Sequence, residues 1–343
     1  MQMLSKILLF PYYIALKVRN GWWDRHASAA TGYDIPVISI GNVTVGGTGK
    51  TPHIEMFIRE YLDRAMRVAV VSRGYGRRNG KASHLVKVTD TAEKVGDEPL
   101  QIKRKFPQVS VIVDRNRIRA IDTLMKLPFG DVPEVILLDD ALQYRKIAPS
   151  RQICLITYNR PVFKDNLLPL GRLRDLPEQI RRADTIIITK CPPYLNEWEK
   201  EQVRSANHIN PRQKVYFTDI RYMEPEPVFE GANNRYIYSK EAILLTGIAN
   251  SRPIRDWVNA QYPTNHHIEY ADHHYFTKKD IRNISRTARR HPRCILITTE
   301  KDAQRLRSNP WVGDDIRERL FCLPITTALL DDESPEALFD YHA

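Results

Sequence analysis

The sequence lacks a hydrophobic run long enough to span a bilayer. Its apolar run near the amino terminus extends from Ile7 to Leu16, ten residues between two lysines, whereas a spanning helix needs about 20. Charged residues, among them Arg19 and Asp24, follow where a secretory signal would continue with short polar, largely uncharged residues. The sequence therefore predicts neither a transmembrane helix nor a cleaved signal peptide.

Cysteine is scarce, and the few cysteines are scattered. Three of the four lie in or beside strand-like apolar runs, and no Cys/His cluster offers a ligand set for a metal. The four are Cys154, Cys191, Cys294 and Cys322. We interpret them as buried, reduced thiols, which suits a cytosolic protein and excludes a disulfide-based fold.

Acidic residues are too few to balance the basic ones. The chain has 52 Lys and Arg against 41 Asp and Glu, a formal net charge of +11. Such an excess suggests an anionic partner, which could be nucleic acid, a phosphorylated substrate or an acidic membrane surface. The remaining composition, 42% hydrophobic and 27% charged over 343 residues, predicts a folded chain with room for two domains.

A glycine-rich loop stands between a strand-like run and a helix-like run, in the stretch "IPVISIGNVTVGGTGKTPHIEMF". Glycines let the backbone turn its N–H groups toward a polyphosphate, Lys50 can reach the outer phosphates, and the Thr51 hydroxyl can bind Mg²⁺. The usual pattern has glycine where this chain has Thr44, but the G-K-T ending is retained. The predicted nucleotide-binding residues are Thr44, Val45, Gly46, Gly47, Thr48, Gly49, Lys50 and Thr51.

A second element of such a site is an acidic residue at the end of a neighbouring strand. The run "PEVILLDDALQYRKI" places Asp139 and Asp140 directly after a buried strand, where P-loop proteins hold the metal through an aspartate. Either Asp139 or Asp140 could be the acid that holds the metal. Two adjacent acids beside four apolar residues are unusual for an exposed surface, so we interpret the pair as functional.

The nucleotide is predicted to be ATP rather than GTP. Guanine-specific proteins read the base with an acid where this chain has Pro192, and their switch glycine is replaced by Leu142. The alternative function is that of a P-loop ATPase acting on nucleic acid or in metallocentre assembly. Against a nucleic-acid partner, the basic residues are not interleaved with exposed aromatic residues in a recognisable module.

Strand-like and helix-like runs alternate through most of the chain, which predicts parallel sheets covered by helices. We expect an α/β fold, with a P-loop NTPase-like domain and a second, smaller α/β domain joined by a β-hairpin linker. The predicted boundaries are 31–215 for the P-loop domain, 216–238 for the two-stranded linker and 239–343 for the second domain.

Residues 1–30 form a separate segment with two possible functions. Aliphatic and aromatic residues flanked by Lys6, Lys17 and Arg19 suit a helix that lies at a membrane interface and meets anionic lipid. The same pattern is equally typical of a helix that packs on the protein's own core.

The motifs together resemble those of the tetraacyldisaccharide 4′-kinase family, the lipid A 4′-kinases, over nearly the whole chain. They occur in the family's order and spacing as "GNVTVGGTGKTP", "SRGYGRR", "GDEP", "DRNRIRA", "LDDALQYRKI", "LLPLGRLRDLP", "ITKCP", "LTGIANSRP", "YADHHYFT" and "TTEKDAQRL". The resemblance implies ATP- and Mg²⁺-dependent phosphorylation of the 4′-hydroxyl of tetraacyldisaccharide 1-phosphate, giving lipid IVA. It also places the reaction at the cytoplasmic face of the inner membrane. We expect the protein to be a monomer, peripheral or monotopic, that binds an anionic membrane surface there.

The resemblance also implies functions for single residues. Asp97 of "GDEP" matches the family's catalytic carboxylate, and His273 of "DHHY" matches the histidine paired with it. Gln143 and Arg174 are expected to contact substrate. The chain departs from the family at Asp175, a shorter acid than the glutamate that usually stands there.

Overall fold

The computed structural model describes residues 2–75, 77, 82–330 and 335–340 of the chain. The helices are α1 Gln2–Arg25, α2 Lys50–Asp63, α3 Ala92–Val95, α4 Asp97–Lys105, α5 Arg117–Leu124, α6 Glu197–Ala206, α7 Arg252–Gln261, α8 Lys278–Arg290, α9 Glu300–Arg307, α10 Asp314–Arg317 and α11 Pro335–Phe339. The strands are β1 Val37–Gly41, β2 Val68–Ser72, β3 His84–Leu85, β4 Ser110–Val113, β5 Val135–Asp139, β6 Arg151–Thr157, β7 Thr185–Thr189, β8 Lys214–Tyr222, β9 Glu226–Pro227, β10 Glu241–Thr246, β11 Thr264–Glu269, β12 Ile295–Thr299, β13 Leu320–Leu323 and β14 Ile325–Leu329.

The chain forms two compact units, each assembled from separate stretches of sequence. The first unit consists of residues 1–73, 109–220 and 327–343, and the second of residues 74–108 and 221–326. This division differs from the predicted boundaries, which assumed that each domain is one continuous stretch. Residues 74–108 group with the second unit, although they lie in sequence between two strands of the first.

A large sheet organises the first unit. Its strands follow the order β14-β8-β7-β6-β1-β5-β2-β4, and the neighbours from β8 to β4 are parallel. Strands β1, β2, β5 and β7 are buried along their whole length, as expected for parallel strands covered on both faces. Helix α2 packs on this sheet through Ile54, Phe57, Ile58 and Tyr61, all fully buried.

The second unit has its own sheet, with the strand order β11-β10-β12-β13-β9. Its strands are parallel except for β9, which pairs antiparallel with β13. The predicted hairpin at 216–238 is therefore built differently. In a hairpin, β8 would pair with β9. Instead, β8 pairs with β7 and with β14, which lies far along the chain toward the carboxyl terminus, and β9 pairs with β13.

The four cysteines are free and buried, in agreement with the sequence interpretation. Among the described residues, no helix combines the length and hydropathy that crossing a membrane requires.

Helix α1 belongs to the first unit and is attached along one face. Leu16 is buried in a hydrophobic cluster, and Leu9 and Tyr13 pack against the same cluster. The buried carboxylate of Asp175 accepts hydrogen bonds from Arg19 (2.6 Å) and from the buried Asn20 amide (2.8 Å). The Asp175 carboxylate therefore ties α1 to the unit, which gives this residue a structural function.

We predict that Asp175→Ala destabilises the protein, because it leaves the buried Asn20 amide without its acceptor. The expected loss is about 1–3 kcal/mol in the free energy of unfolding, measured by urea denaturation.

Asp24→Ala is the matched control, since it also removes an ion pair between α1 and the unit, with Arg145, but Asp24 is exposed. Its expected cost is below about 1 kcal/mol. Equal costs for the two variants would contradict the anchoring function of Asp175.

Candidate active site

The glycine loop follows β1 and ends where α2 begins at Lys50. Gly46 and Gly49 have φ angles of 98° and 87°, a region in which a side chain is strained, so these two positions need glycine. Thr44 instead forms an antiparallel bridge with Leu173. This extended conformation is open to any residue, which explains why the usual glycine is dispensable at Thr44.

Buried polar contacts hold the loop from behind. The Asn42 amide donates to the Thr48 hydroxyl (2.7 Å), and the Thr189 hydroxyl donates to the Thr48 carbonyl (2.9 Å). The Val45 N–H donates to the carbonyl of Arg172 (2.7 Å). These contacts fix the loop before any ligand binds, so less ordering is needed on binding.

His53 is a further support that sequence reasoning missed. Its Nδ1 lies 2.7 Å from the carbonyl of Gly49, and its Nε2 lies 2.9 Å from the Thr218 hydroxyl. Burial lowers the pKa of His53 to about 4, so the ring is neutral near pH 7. Nδ1–H then donates to Gly49, and Nε2 accepts from Thr218. The sequence did contain a signal for this contact, because His53 follows Gly49 by four residues, one turn of a helix, and can reach its carbonyl.

Three cations surround the loop. Lys50 is the first residue of α2. Arg172 lies beside Gly46, with Nη1 3.4 Å from the position that a Cβ would take there. Lys190 lies beside Gly47, with Nζ 3.8 Å from the corresponding position. Arg172 and Lys190 were not predicted as site residues, although both stand in motifs of the family. Several cations around a loop of glycine N–H groups are the arrangement that a polyphosphate requires.

The two acids at the end of β5 lie beside this loop but have different partners. Asp139 is buried and accepts a hydrogen bond from the Ser72 hydroxyl (2.8 Å). Asp140 is held by both ends of the Arg174 guanidinium, with Nη1 2.8 Å from Oδ2, and lies 3.9 Å from Lys50 Nζ. Burial acts to raise the pKa of Asp140, but its hydrogen bond to Arg174 and the nearby Lys50 and Arg174 charges outweigh burial and lower it.

The two predicted substrate residues, Gln143 and Arg174, converge on the first residue after β1. The Gln143 amide and Arg174 Nη2 both donate to the Asn42 carbonyl, at 2.8 and 3.0 Å. The structure thus brings Gln143, Arg174, Asp140 and Lys50 together around the loop. Contact of Gln143 and Arg174 with substrate stays a prediction.

In the second unit, Asp97 and His273 lie in contact although they are far apart in sequence. Asp97 opens α4, and its Oδ2 lies 3.1 Å from His273 Nδ1 and 2.8 Å from Arg305 Nη1. The hydrogen bond to Asp97 raises the pKa of His273 despite partial burial. Burial acts to raise the pKa of Asp97, but His273, Lys301 and Arg305 together lower it, so the carboxylate is ionised at neutral pH.

A cavity of about 220 Å³ opens beside this pair within the second unit. Its lining includes Tyr75, Glu93, Asp97, His273, Tyr275 and Arg305. Asp97 is therefore largely buried yet borders a space that a substrate group can enter. Arg305 was missed as a site residue, although the motif "TTEKDAQRL" contains it.

The strand, glycine loop and helix with Lys50, next to acids on the adjacent parallel strand, define a P-loop nucleotide-binding protein. The chain matches the family described as tetraacyldisaccharide-1-P 4′-kinase over residues 1–342. It is 40% identical to the tetraacyldisaccharide 4′-kinase of Parabacteroides distasonis over 95% of this chain and 90% of the relative. It is 37% identical to the tetraacyldisaccharide 4′-kinase of Phocaeicola vulgatus over 94% of this chain and 89% of the relative.

A solved structure agrees with the sequence relatives. The crystal structure of LpxK from Aquifex aeolicus in complex with ATP matches with a TM-score of 0.74 and 25% identity, covering 99% of this chain and 98% of that one. The chain belongs to the tetraacyldisaccharide 4′-kinase family. The predicted family, α/β fold class and kinase activity are confirmed.

Proposed function

We propose that this chain transfers the γ-phosphate of ATP to the 4′-hydroxyl of tetraacyldisaccharide 1-phosphate, and that residues 44–51 hold the ATP phosphates. The observation that supports this most directly is the position of Lys50. It opens α2 directly after the glycine loop and lies beside Asp140. Lys50 then neutralises charge on the outer phosphates, while the loop N–H groups bind the phosphate oxygens.

Thr51, Asp139 and Asp140 would hold Mg²⁺ with the phosphates. Mg²⁺ in kinases is bound through one or two carboxylates plus substrate phosphates rather than by a protein cage. The donor set fits this chemistry, because Asp139 and Asp140 supply carboxylates where β5 ends and Thr51 supplies a hydroxyl where α2 begins. Held there, Mg²⁺ would supply positive charge that offsets the negative charge of the phosphates during transfer. Arg174 keeps Asp140 ionised and oriented toward this region.

Asp97 accepts the proton of the sugar hydroxyl. As the hydroxyl oxygen forms its bond to the γ-phosphorus, the bond from that phosphorus to the bridging oxygen breaks and ADP leaves. The proton passes to Asp97, whose lowered pKa leaves it ionised and able to accept. His273 orients the Asp97 carboxylate through Nδ1, and its hydrogen bond to Asp97 raises its pKa, which favours the charged ring.

The amino-terminal helix brings this chemistry to a membrane surface. Along α1, Phe10, Ile14, Val18 and Trp22 recur every four residues and are all exposed, while Leu16 and Asn20 on the other side are buried. The helix therefore presents an apolar stripe to its surroundings while its opposite face stays packed. An exposed apolar stripe with flanking cations suits the headgroup region of an anionic bilayer, at the cytoplasmic face of the inner membrane in this pathway.

Lys50→Ala tests the phosphate-binding proposal. We expect kcat to fall by orders of magnitude, because the charge on the outer phosphates is no longer neutralised, while the fold is retained. The assay measures phosphorylation of the disaccharide lipid with ATP and Mg²⁺.

Arg59→Ala is the matched control, since it removes a partly exposed cation from the same helix, and it should retain activity. A folded Lys50→Ala protein with near-normal kcat would remove the phosphate-binding function of the loop.

The exposed stripe of α1 can be tested without disturbing the buried face. We expect a variant with Phe10→Gln, Ile14→Gln and Val18→Gln to bind anionic vesicles more weakly, because apolar surface no longer enters the bilayer. Its kcat/KM for the lipid should fall, while its KM for ATP is kept. Deleting the whole segment is less informative, because it would also remove Leu16 from the core.

The control for the stripe carries three exposed apolar-to-Gln changes elsewhere on the first unit, Phe129→Gln, Tyr194→Gln and Trp198→Gln. It should bind vesicles as the unchanged protein does. Equal vesicle binding by the stripe variant and the unchanged protein would rule out docking through this face.

A further inference from the structure

Arg305 contacts Asp97 directly and is linked to His273 through a shared backbone carbonyl. Its Nη1 donates to Asp97 Oδ2 (2.8 Å), and its Nη2 donates to the carbonyl of Gly247 (2.9 Å). The same carbonyl accepts the backbone N–H of His273 (3.1 Å). One guanidinium thus holds the side chain of Asp97 and the carbonyl that fixes the backbone of His273.

Arg305 is itself held by a buried acid. Asp302 is fully buried and pairs with Arg305 Nη2. The other oxygen of Asp302 accepts the N–H of Gly247 (3.0 Å) and the hydroxyl of Thr299 (2.7 Å). A buried charge pair with these extra hydrogen bonds has one well-defined arrangement, because loss of any contact leaves a desolvated polar group. The position of the guanidinium is therefore fixed by the unit's own core.

On the basis of the proton-accepting function proposed above for Asp97, we propose that Arg305 is a positioning residue for phosphate transfer. It fixes the orientation of the Asp97 carboxylate so that Oδ1 is the oxygen that receives the substrate proton.

The hydrogen bonds of Asp97 support this choice of atom. A carboxylate oxygen accepts about two hydrogen bonds. Oδ2 already accepts from His273 and from Arg305. Within the part of the chain that the structure describes, Oδ1 accepts only the N–H of Glu98, at 3.0 Å. The remaining acceptor site is thus on Oδ1, and rotation of the carboxylate would break both contacts of Oδ2.

Arg305 also competes with His273 for the charge of Asp97. Among the residues that the structure describes, the groups that face His273 include Asp272, 3.9 Å from Nε2, and Lys301, which pairs with Glu98. The Tyr75 ring lies 5.6 Å from the His273 ring, and Glu93 and Tyr275 line the same cavity. If the charge of Arg305 is removed, the field of Asp97 acts on His273 with less compensation. The pKa of His273 should then rise, an effect that loss of packing alone would not produce.

The test compares Arg305→Gln, Arg305→Lys and the unchanged full-length chain. The pKa of His273 is measured by NMR of labelled histidine, with the signal assigned from a His273→Asn variant. We expect a rise of roughly half a unit or more in Arg305→Gln and a smaller change in Arg305→Lys, which keeps a cation. Arg307→Gln is the matched control on the same helix, since Arg307 donates to the Val228 carbonyl, and should leave this pKa unchanged.

Kinetics give the second measurement. In Arg305→Gln, kcat should fall by on the order of tenfold to a hundredfold, because the carboxylate is misplaced, while the KM for ATP is unchanged. Arg305→Lys should have an intermediate kcat. Unchanged kcat and an unchanged His273 pKa in a folded Arg305→Gln protein would overturn the proposal.

Arg305→Lys and one further variant, Asp97→Asn, separate failure of this proposal from failure of the proposed function. If Arg305→Gln does not fold, Arg305→Lys decides, and a folded Lys variant with the kcat of the unchanged protein would contradict the positioning function. If Asp97→Asn retains full kcat, the proton-accepting function of Asp97 fails. The NMR comparison still reports in that case whether Arg305 is coupled to His273.

Discussion

The parallel pairing of β1 with β5 is the constraint on which the nucleotide site depends. Its register places Ile40 opposite Asp139, so the loop after β1 and the acids after β5 emerge at the same edge of the sheet. Strand β6 lies on the other side of β1, and crevices at the carboxyl ends of such strands are where ligands bind in open α/β sheets. A glycine loop elsewhere in the fold would lack the acids that are proposed to hold Mg²⁺ beside it.

Buried polar groups keep this edge in one conformation. Asp140 and Arg174 are partly buried and depend on each other, because either charge alone would be costly in such a place. His53 has the same effect on the loop without a charge, since burial keeps its ring neutral. In the second unit, the hydrogen bond from His273 and the charges of Lys301 and Arg305 outweigh burial and lower the pKa of Asp97, which keeps it ionised. The electrostatics of each unit therefore prepare its side chains for their proposed functions.

The sequence was sufficient for the parts of the structure that depend on local pattern. The strand before the loop, the helix at Lys50 and the strand before Asp139 follow from hydrophobic periodicity and glycine placement. The contact between Asp97 and His273 spans 176 residues and was expected only from the resemblance to a family. Arg305 and the pairing of β14 with β8 were missed, because long-range contacts leave no periodic signal in the sequence.

The central proposal is that Asp97 and His273 act as one unit in phosphate transfer, and its most direct test is a double-mutant cycle in kcat. The cycle compares the unchanged protein, Asp97→Ala, His273→Ala and the double variant with ATP, Mg²⁺ and the disaccharide lipid. Because His273 acts through Asp97, the double variant should be little slower than Asp97→Ala alone. Losses that multiply would show that the two residues act independently, and would contradict the proposed pairing.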